Sequence, residues 1–165
     1  GFASAMTDSI VHWPGGCACG GVRYHLTSRP MFTHCCHCNW CQRESGSAFA
    51  VNAIIETERL TLDSGDVLMV DSPSESGQGQ RFARCPSCQI ALWSHYSSPG
   101  QAVAFVRAGT LDDTSVLEPD IHIFTESRQP WVLLPPDKPA VSRYYRARDM
   151  WPAASLERRS RVWGH

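Results

Sequence analysis

The sequence predicts a mainly β domain with little helix. Short segments that alternate apolar and polar residues, or run apolar throughout, recur along the chain between Gly, Pro, Asp and Ser turns; this is the spacing of strands. At 165 residues the chain is long enough for one domain with a core of its own. Its eight cysteines fall into close groups that would tie together strands distant in sequence.

Taken in order, residues 1–14 read as an N-terminal extension. Gly15-Gly16-Cys17-Ala18-Cys19-Gly20-Gly21 follows, a cysteine pair between glycine doublets that let the backbone bend until both sulfurs face one point. Val22–Leu26 alternates as a half-buried strand, with His25 on its polar face and expected in solvent. Beyond the turn at Ser28-Arg29-Pro30 lies Cys35-Cys36-His37-Cys38-Asn39-Trp40-Cys41, with four cysteines in seven residues. Gln42–Ser45 is enough for one helical turn, stopped by Gly46. Ser47–Ile55 is a short apolar run whose Phe, Val and Ile content favours a buried strand. Leu60–Leu62 and Val67–Val70 are further strands joined by a turn at 63–66, and Ser72–Gly79 is a polar loop. Arg81–Arg84 leads into Cys85-Pro86-Ser87-Cys88, the two-ligand knuckle of zinc ribbons. Ala91–Trp93, Ala102–Arg107 and Ile121–Phe124 complete the strands. Pro135-Pro136-Asp137-Lys138-Pro139 is a linker or packed extended coil. The tail from Tyr144 to His165 mixes five arginines with Trp151 and Trp163.

A net charge of −1 and a pI near 6.7 give no electrostatic case for nucleic acid or an anionic membrane. The tail's arginines could form a nucleic-acid arm, but Asp149 and Glu157 dilute them. Residues 132–165 are therefore expected to pack on the core or on a neighbouring copy, which would make a homodimer. The first dozen residues lack a basic start and an apolar run, and no transmembrane stretch occurs, so the expected location is the cytoplasm. In that reducing setting, adjacent and alternate cysteines are metal ligands rather than disulfides.

Placing Cys17, Cys19, Cys85 and Cys88 on one zinc closes a tetrahedron and clips the start of the chain to its middle, a structural arrangement. The cluster then offers three thiolates to a second ion, because neighbouring residues rarely ligate the same one. That leaves a fourth position for water or substrate, the mark of a catalytic zinc. Spacing alone admits either Cys36 or Cys35 with Cys38 and Cys41.

The Gly-x-Cys-x-Cys-Gly-x-Val-Arg-Tyr opening at Gly15–Tyr24 and Cys36-His37-Cys38-Asn39-Trp40-Cys41 before Gly46-Ser47-Ala48-Phe49 resemble the family of glutathione-dependent formaldehyde-activating enzymes and centromere protein V. Cys85-x-x-Cys88, Gly109–Asp112, Pro119-x-x-His122-Ile123-Phe124 and Ser127-x-x-Pro130-Trp131 extend the resemblance, in the family's order, over 15–131, the expected zinc-binding catalytic domain. The resemblance implies an Mss4-like arrangement of twisted β-sheets. It also implies a structural zinc on Cys17, Cys19, Cys85 and Cys88, and a catalytic zinc on Cys36, Cys38 and Cys41 with Cys35 left over. The implied reaction is that of a carbon–sulfur lyase joining glutathione to formaldehyde as S-hydroxymethylglutathione. The centromere protein V side of the resemblance allows a non-enzymatic zinc module instead. A methionine sulfoxide reductase would need a redox cysteine late in the chain, and none follows Cys88. One departure from the family pattern is Gln89, where glycine is usual, so a left-handed turn there is expected to be harder to form.

Other residues carry two readings. His37 could move protons or point away from the site. Arg43 could hold a carboxylate or lie on a helix surface. Trp40 and Phe49 could wall a pocket or fill the core, and His122 could simply hold backbone in place.

Overall fold

The computed structural model describes residues 8–163, so positions 1–7 of the expected N-terminal extension lie outside the described residues. The strands are β1 (Ile10–Gly16), β2 (Arg23–Ser28), β3 (Phe32–Cys36), β4 (Ala50–Glu56), β5 (Leu60–Ser64), β6 (Leu68–Ser72), β7 (Gln80–Arg84), β8 (Ala91–Tyr96), β9 (Val103–Arg107) and β10 (Ile121–Ile123). Among the described residues three short α-helices accompany them, α1 (Asn39–Ser45), α2 (Ala147–Met150) and α3 (Ala153–Val162), with several single 3-10 turns. The mainly β class is the one the sequence predicts.

The strands form two sheets. The smaller runs β1-β2-β5 and the larger β10-β3-β4-β9-β8-β7-β6. All pairings are antiparallel except β10 with β3. β1 begins inside the segment read as an extension, and Pro14 is tolerated there because β1 is an edge strand, where a missing N–H costs no ladder bond. Gly15 is needed at its end: a Cβ there would lie 2.6 Å from the Thr110 carbonyl oxygen. The turn at 63–66 does more than close a hairpin, since β5 pairs in the small sheet and β6 in the large one. Gly65 makes the crossing possible with φ of +78°, and a Cβ there would lie 2.0 Å from the Gly21 carbonyl oxygen.

β4 explains the apolar run that contains it. Ala53 and Ile55 enter one core with Tyr24, Leu26, Leu92 and Val106, while Ile54 enters another with Phe32, Phe105 and Ile121. The large sheet is thus buried on both faces, and a strand so placed loses the polar half of its alternation. The first core lies between the two sheets. The second is completed by the C-terminal segment, with Trp151 stacked on Phe32 at 5.5 Å between ring centroids.

The proline-rich stretch runs as extended coil beside β10, where the His122 N–H donates to the Pro139 carbonyl and the Val141 N–H to that of His122. This covers an edge that would otherwise present unpaired backbone. Farther on, α3 is fastened through Arg158. Its Nε and Nη2 donate to the two Glu56 carboxylate oxygens at 3.0 and 2.7 Å, and its Nη1 donates to the Arg29 carbonyl at 2.8 Å. The Ser155 hydroxyl adds a bond to the Met31 carbonyl at 2.6 Å. His25 is half-buried rather than in solvent, because Asp63 draws its Nδ1 to within 2.8 Å. Among the described residues no helix is long and apolar enough to cross a membrane.

Candidate metal centres

All eight cysteines are unbridged, and seven of them gather into two sulfur clusters. The first joins Cys17 and Cys19, in the turn after β1, to Cys85 and Cys88, in the turn after β7. Cys17 and Cys19 Sγ are 3.6 Å apart, as are Cys19 and Cys85. That is far beyond the ~2.05 Å of a disulfide and close to the roughly 3.8 Å edge of a tetrahedron built on ~2.3 Å zinc–sulfur bonds. Backbone N–H groups of Val22, Gly21, Ser87 and Cys88 point at the sulfurs of Cys17, Cys19 and Cys85 at 3.3–3.4 Å. Such donors stabilise thiolate charge. The Ile90 backbone N–H heads the interactions that hold the Cys88 thiol down to about 6.

The knuckle forms without glycine at position 89. Gln89 adopts the left-handed conformation at φ 66°, its N–H bonds to the Cys85 carbonyl, and its side-chain amide donates to Pro86. The strain expected of a Cβ in that region is borne by a residue that also caps the turn.

The second cluster is Cys36, Cys38 and Cys41. Cys36 ends β3, Cys38 is the N-cap of α1 and accepts the Cys41 N–H at 3.3 Å, and Cys41 sits in the helix's first turn. β3 assigns the ambiguous thiol: successive residues of a strand face opposite ways, so Cys36 joins Cys38 and Cys41 while Cys35 turns to the other side. There the Cys35 Sγ lies 3.6 Å from His37 Nε2, which in turn meets His122 Nδ1 at 3.0 Å. On their own the three clustered sulfurs divide their protons unequally. Hydrogen bonds from Cys36 and Cys41 hold the Cys38 thiol down to about 3, whereas its bonds to Cys38 and Cys41, together with burial, push Cys36 far up. A soft divalent cation would let all three ionise together, and the donor sets of both clusters fit zinc.

The second cluster forms part of the wall of a cavity of about 710 Å³. Trp40 stands at its rim, partly exposed, and Asn52, Tyr96 and Phe105 line it from β4, β8 and β9. Phe124 lines it from a strained backbone, at φ 55°, held by its N–H to the Arg143 carbonyl at 2.8 Å. Much of the remaining wall comes from Glu75, Ser76, Gln78 and Gln80 before and at the start of β7, from Ser97, Ser98 and Pro99 after β8, and from the C-terminal segment through Arg143, Tyr144, Arg159 and Trp163.

His37 does not line this cavity. It is fully buried behind it, where burial, with His122 and Arg128 nearby, keeps it neutral by holding it down to about 4. Its carbonyl accepts the Gln42 amide and the Ser127 hydroxyl, both at 2.9 Å. His122 is buried beside it. Phe49 is half-buried with its ring 5.4 Å from that of His37. Arg43 is exposed on α1 and borders a separate shallow depression with Gln129 and Trp131. Asn52, Tyr96 and Arg159 escaped the sequence reading. A polar residue inside the apolar run of β4 was a signal for Asn52; nothing comparable marked Tyr96.

Three comparisons bear on this arrangement. Residues 12–127 match the family model described as glutathione-dependent formaldehyde-activating enzyme. A Talaromyces marneffei protein, provisionally named as an enzyme of that kind, is 30% identical over 133 residues, spanning 75% of this chain and 69% of its own. A solved structure of a Rhodobacter sphaeroides protein aligns over 64% of this chain and 96% of that one, at 17% identity and a TM-score of 0.45. With the family model spanning most of the chain, and the motifs of both cysteine clusters inside the match, the chain belongs to the glutathione-dependent formaldehyde-activating enzyme family.

Proposed function

We propose that the chain joins glutathione, or a related small thiol, to formaldehyde as the S-hydroxymethyl adduct, acting as a carbon–sulfur lyase with one structural and one catalytic zinc. The observation that carries this reading is the setting of the second cluster. Three sulfurs from one short stretch at the junction of β3 and α1 lie against a cavity of a size suited to a small peptide, and among the described residues no fourth His, Cys, Asp or Glu is grouped with them.

Cys17, Cys19, Cys85 and Cys88 would hold the structural ion, whose ligands come from turns far apart in sequence. Cys36, Cys38 and Cys41 would hold the catalytic one, which supplies, when bound, a Lewis acid able to keep a thiol deprotonated at neutral pH. The remaining roles fall to the chain. In the reaction a bond forms between the thiol sulfur and the aldehyde carbon, the carbonyl π pair moves to oxygen, and that oxygen takes up one proton in place of the one the thiol gave. Tyr96 would donate towards this oxygen: it lines the cavity, and its hydroxyl makes no hydrogen bond to another described residue. Burial pushes its phenol up, so it stays protonated at neutral pH. The Arg107 guanidinium donates to Asn52 Oδ1 at 3.1 Å, which fixes the amide and leaves its N–H groups as donors to a guest. Phe105 and Ile123 exclude water from the walls.

The test is exchange NMR of glutathione with formaldehyde, with and without the zinc-loaded protein. Exchange through the adduct should quicken with enzyme and return to the uncatalysed rate in Cys38→Ser. Equal exchange with and without wild-type protein removes the proposal and leaves a non-enzymatic zinc module.

A further inference from the structure

We propose that Arg159 is the carboxylate receptor of the cavity, so that the site selects small thiols bearing a carboxylate. The inference rests on the thiol-binding reading above and adds which thiols the site accepts.

α3 lies beyond residues 12–127, the part matched by the family. The helix is pinned through Arg158, and successive residues of a helix point about 100° apart. The next residue therefore leaves the anchored face, and Arg159 lines the cavity whose wall contains Cys36, Cys38 and Cys41. Its guanidinium carbon rests 4.5 Å from the ring centroid of Trp163 and 5.8 Å from that of Trp151. Two indoles restrain a planar cation, and with Nε buried it is the terminal N–H groups that are left to meet a partner.

Charge pairing singles this residue out. Arg143, in the same cavity, is matched by Glu126 at 3.0 Å; on α3, Arg161 is matched by Glu157 at 2.7 Å. Arg159 has no carboxylate partner among the described residues, and its buried Nε has no hydrogen-bond acceptor there. A half-buried guanidinium restrained by aromatic faces and lacking an acceptor is suited to bind a planar anion, and a carboxylate accepts from two of its N–H groups at once. Glutathione carries two carboxylates.

The experiment is calorimetric titration of the zinc-loaded full chain, without formaldehyde, with glutathione and with glutathione diethyl ester, which keeps the thiol and masks both acids. Wild type is expected to bind glutathione about tenfold or more tightly than the diester, the worth of one charge-assisted bond. Arg159→Gln should lose that preference by weakening only the acid, and Arg159→Lys should recover part of it. A role in packing alone would weaken both ligands alike. The assignment is overturned if wild type fails to discriminate, if it binds neither ligand, or if Arg159→Gln keeps the wild-type preference. The diester comparison uses wild type and so holds even if the glutamine variant misfolds. A protein that binds glutathione through Arg159 but does not speed exchange with formaldehyde would refute the reaction and support this assignment.

Discussion

Arg158→Met isolates the joint that holds the C-terminal helix to the sheet. Arg158 and Glu56 side chains are 2% and 3% exposed, and the pair is bidentate. Removing one partner of a buried pair costs about 3–5 kcal/mol, because the other charge is left in low dielectric. Glu56 would keep one neighbour, Arg59 Nε at 3.1 Å. Ser28 and the Arg29 carbonyl would keep each other, through the hydroxyl bond at 3.0 Å. These residual partners put the cost at the lower end, about 3 kcal/mol, equivalent to roughly 6–12 °C in melting temperature for a domain of this size. The assay is urea unfolding at fixed free zinc, followed by tryptophan fluorescence because Trp151 lies in the core beside α3. Adding Glu56→Gln to the methionine variant removes the stranded charge and should recover a good part of the loss. A single variant within about 0.5 kcal/mol of wild type, the ordinary range of surface substitutions, would refute the reasoning. So would a double variant no more stable than the single.

The two clusters should behave differently on mutation. Wild type should carry about two zinc ions per chain by metal analysis and Cys38→Ser about one with the fold retained, whereas Cys85→Ser should lose structure because its site joins distant turns; two ions retained in Cys38→Ser would deny the division. Gln89→Gly should leave stability unchanged or raise it by up to about 1 kcal/mol, since glycine takes a left-handed backbone without a Cβ penalty. A clear fall in melting temperature would mean that the Gln89 bond to Pro86 outweighs the strain. Asp120 gives a pH signature: burial raises its carboxyl above the ordinary value, although its Oδ2 accepts the Thr33 N–H at 2.8 Å. A raised value means the native state holds the proton more tightly than the unfolded chain does. Ionisation therefore lowers stability as pH climbs through the carboxylate range from about 4. Asp120→Asn retains an acceptor oxygen and loses that charge, so its stability relative to wild type should increase from pH 4 to pH 7. A pH-independent difference would contradict this.

The sequence disclosed most where chemistry is local. Cysteines two or three residues apart must turn towards a shared centre or be wasted, so each close group could be read from spacing, whereas the choice of Cys36 over Cys35 and the joining of Cys17 and Cys19 to Cys85 and Cys88 leaned on the family resemblance. An apolar run in a β context announced β4. Where the answer depended on a partner far along the chain, the sequence was silent. Strand alternation says that Cys35 and Cys36 face opposite ways but not which face borders the cavity, and that depends on β10 and the C-terminal segment packing against β3. β5 and β6 read only as strands joined by a turn, because nothing at 63–66 reveals that Gly65 abuts Gly21 and carries the chain between sheets.

Arg158 and Arg159 make the same point most sharply. They are identical and adjacent in a charged helix, yet one meets a carboxylate 102 residues away and is buried as an anchor, while the other turns towards the cavity. The anchor gives its neighbour its use. Were α3 held only by surface pairs such as Arg161 with Glu157, the Arg159 guanidinium would be free to wander and would lose binding energy to its own ordering. A buried ion pair that adds little net stability can still be retained if it sets the position of the next side chain. Replacing Arg158 should therefore weaken glutathione binding as well as stability, and the loss should fall on the free acid rather than on its diester.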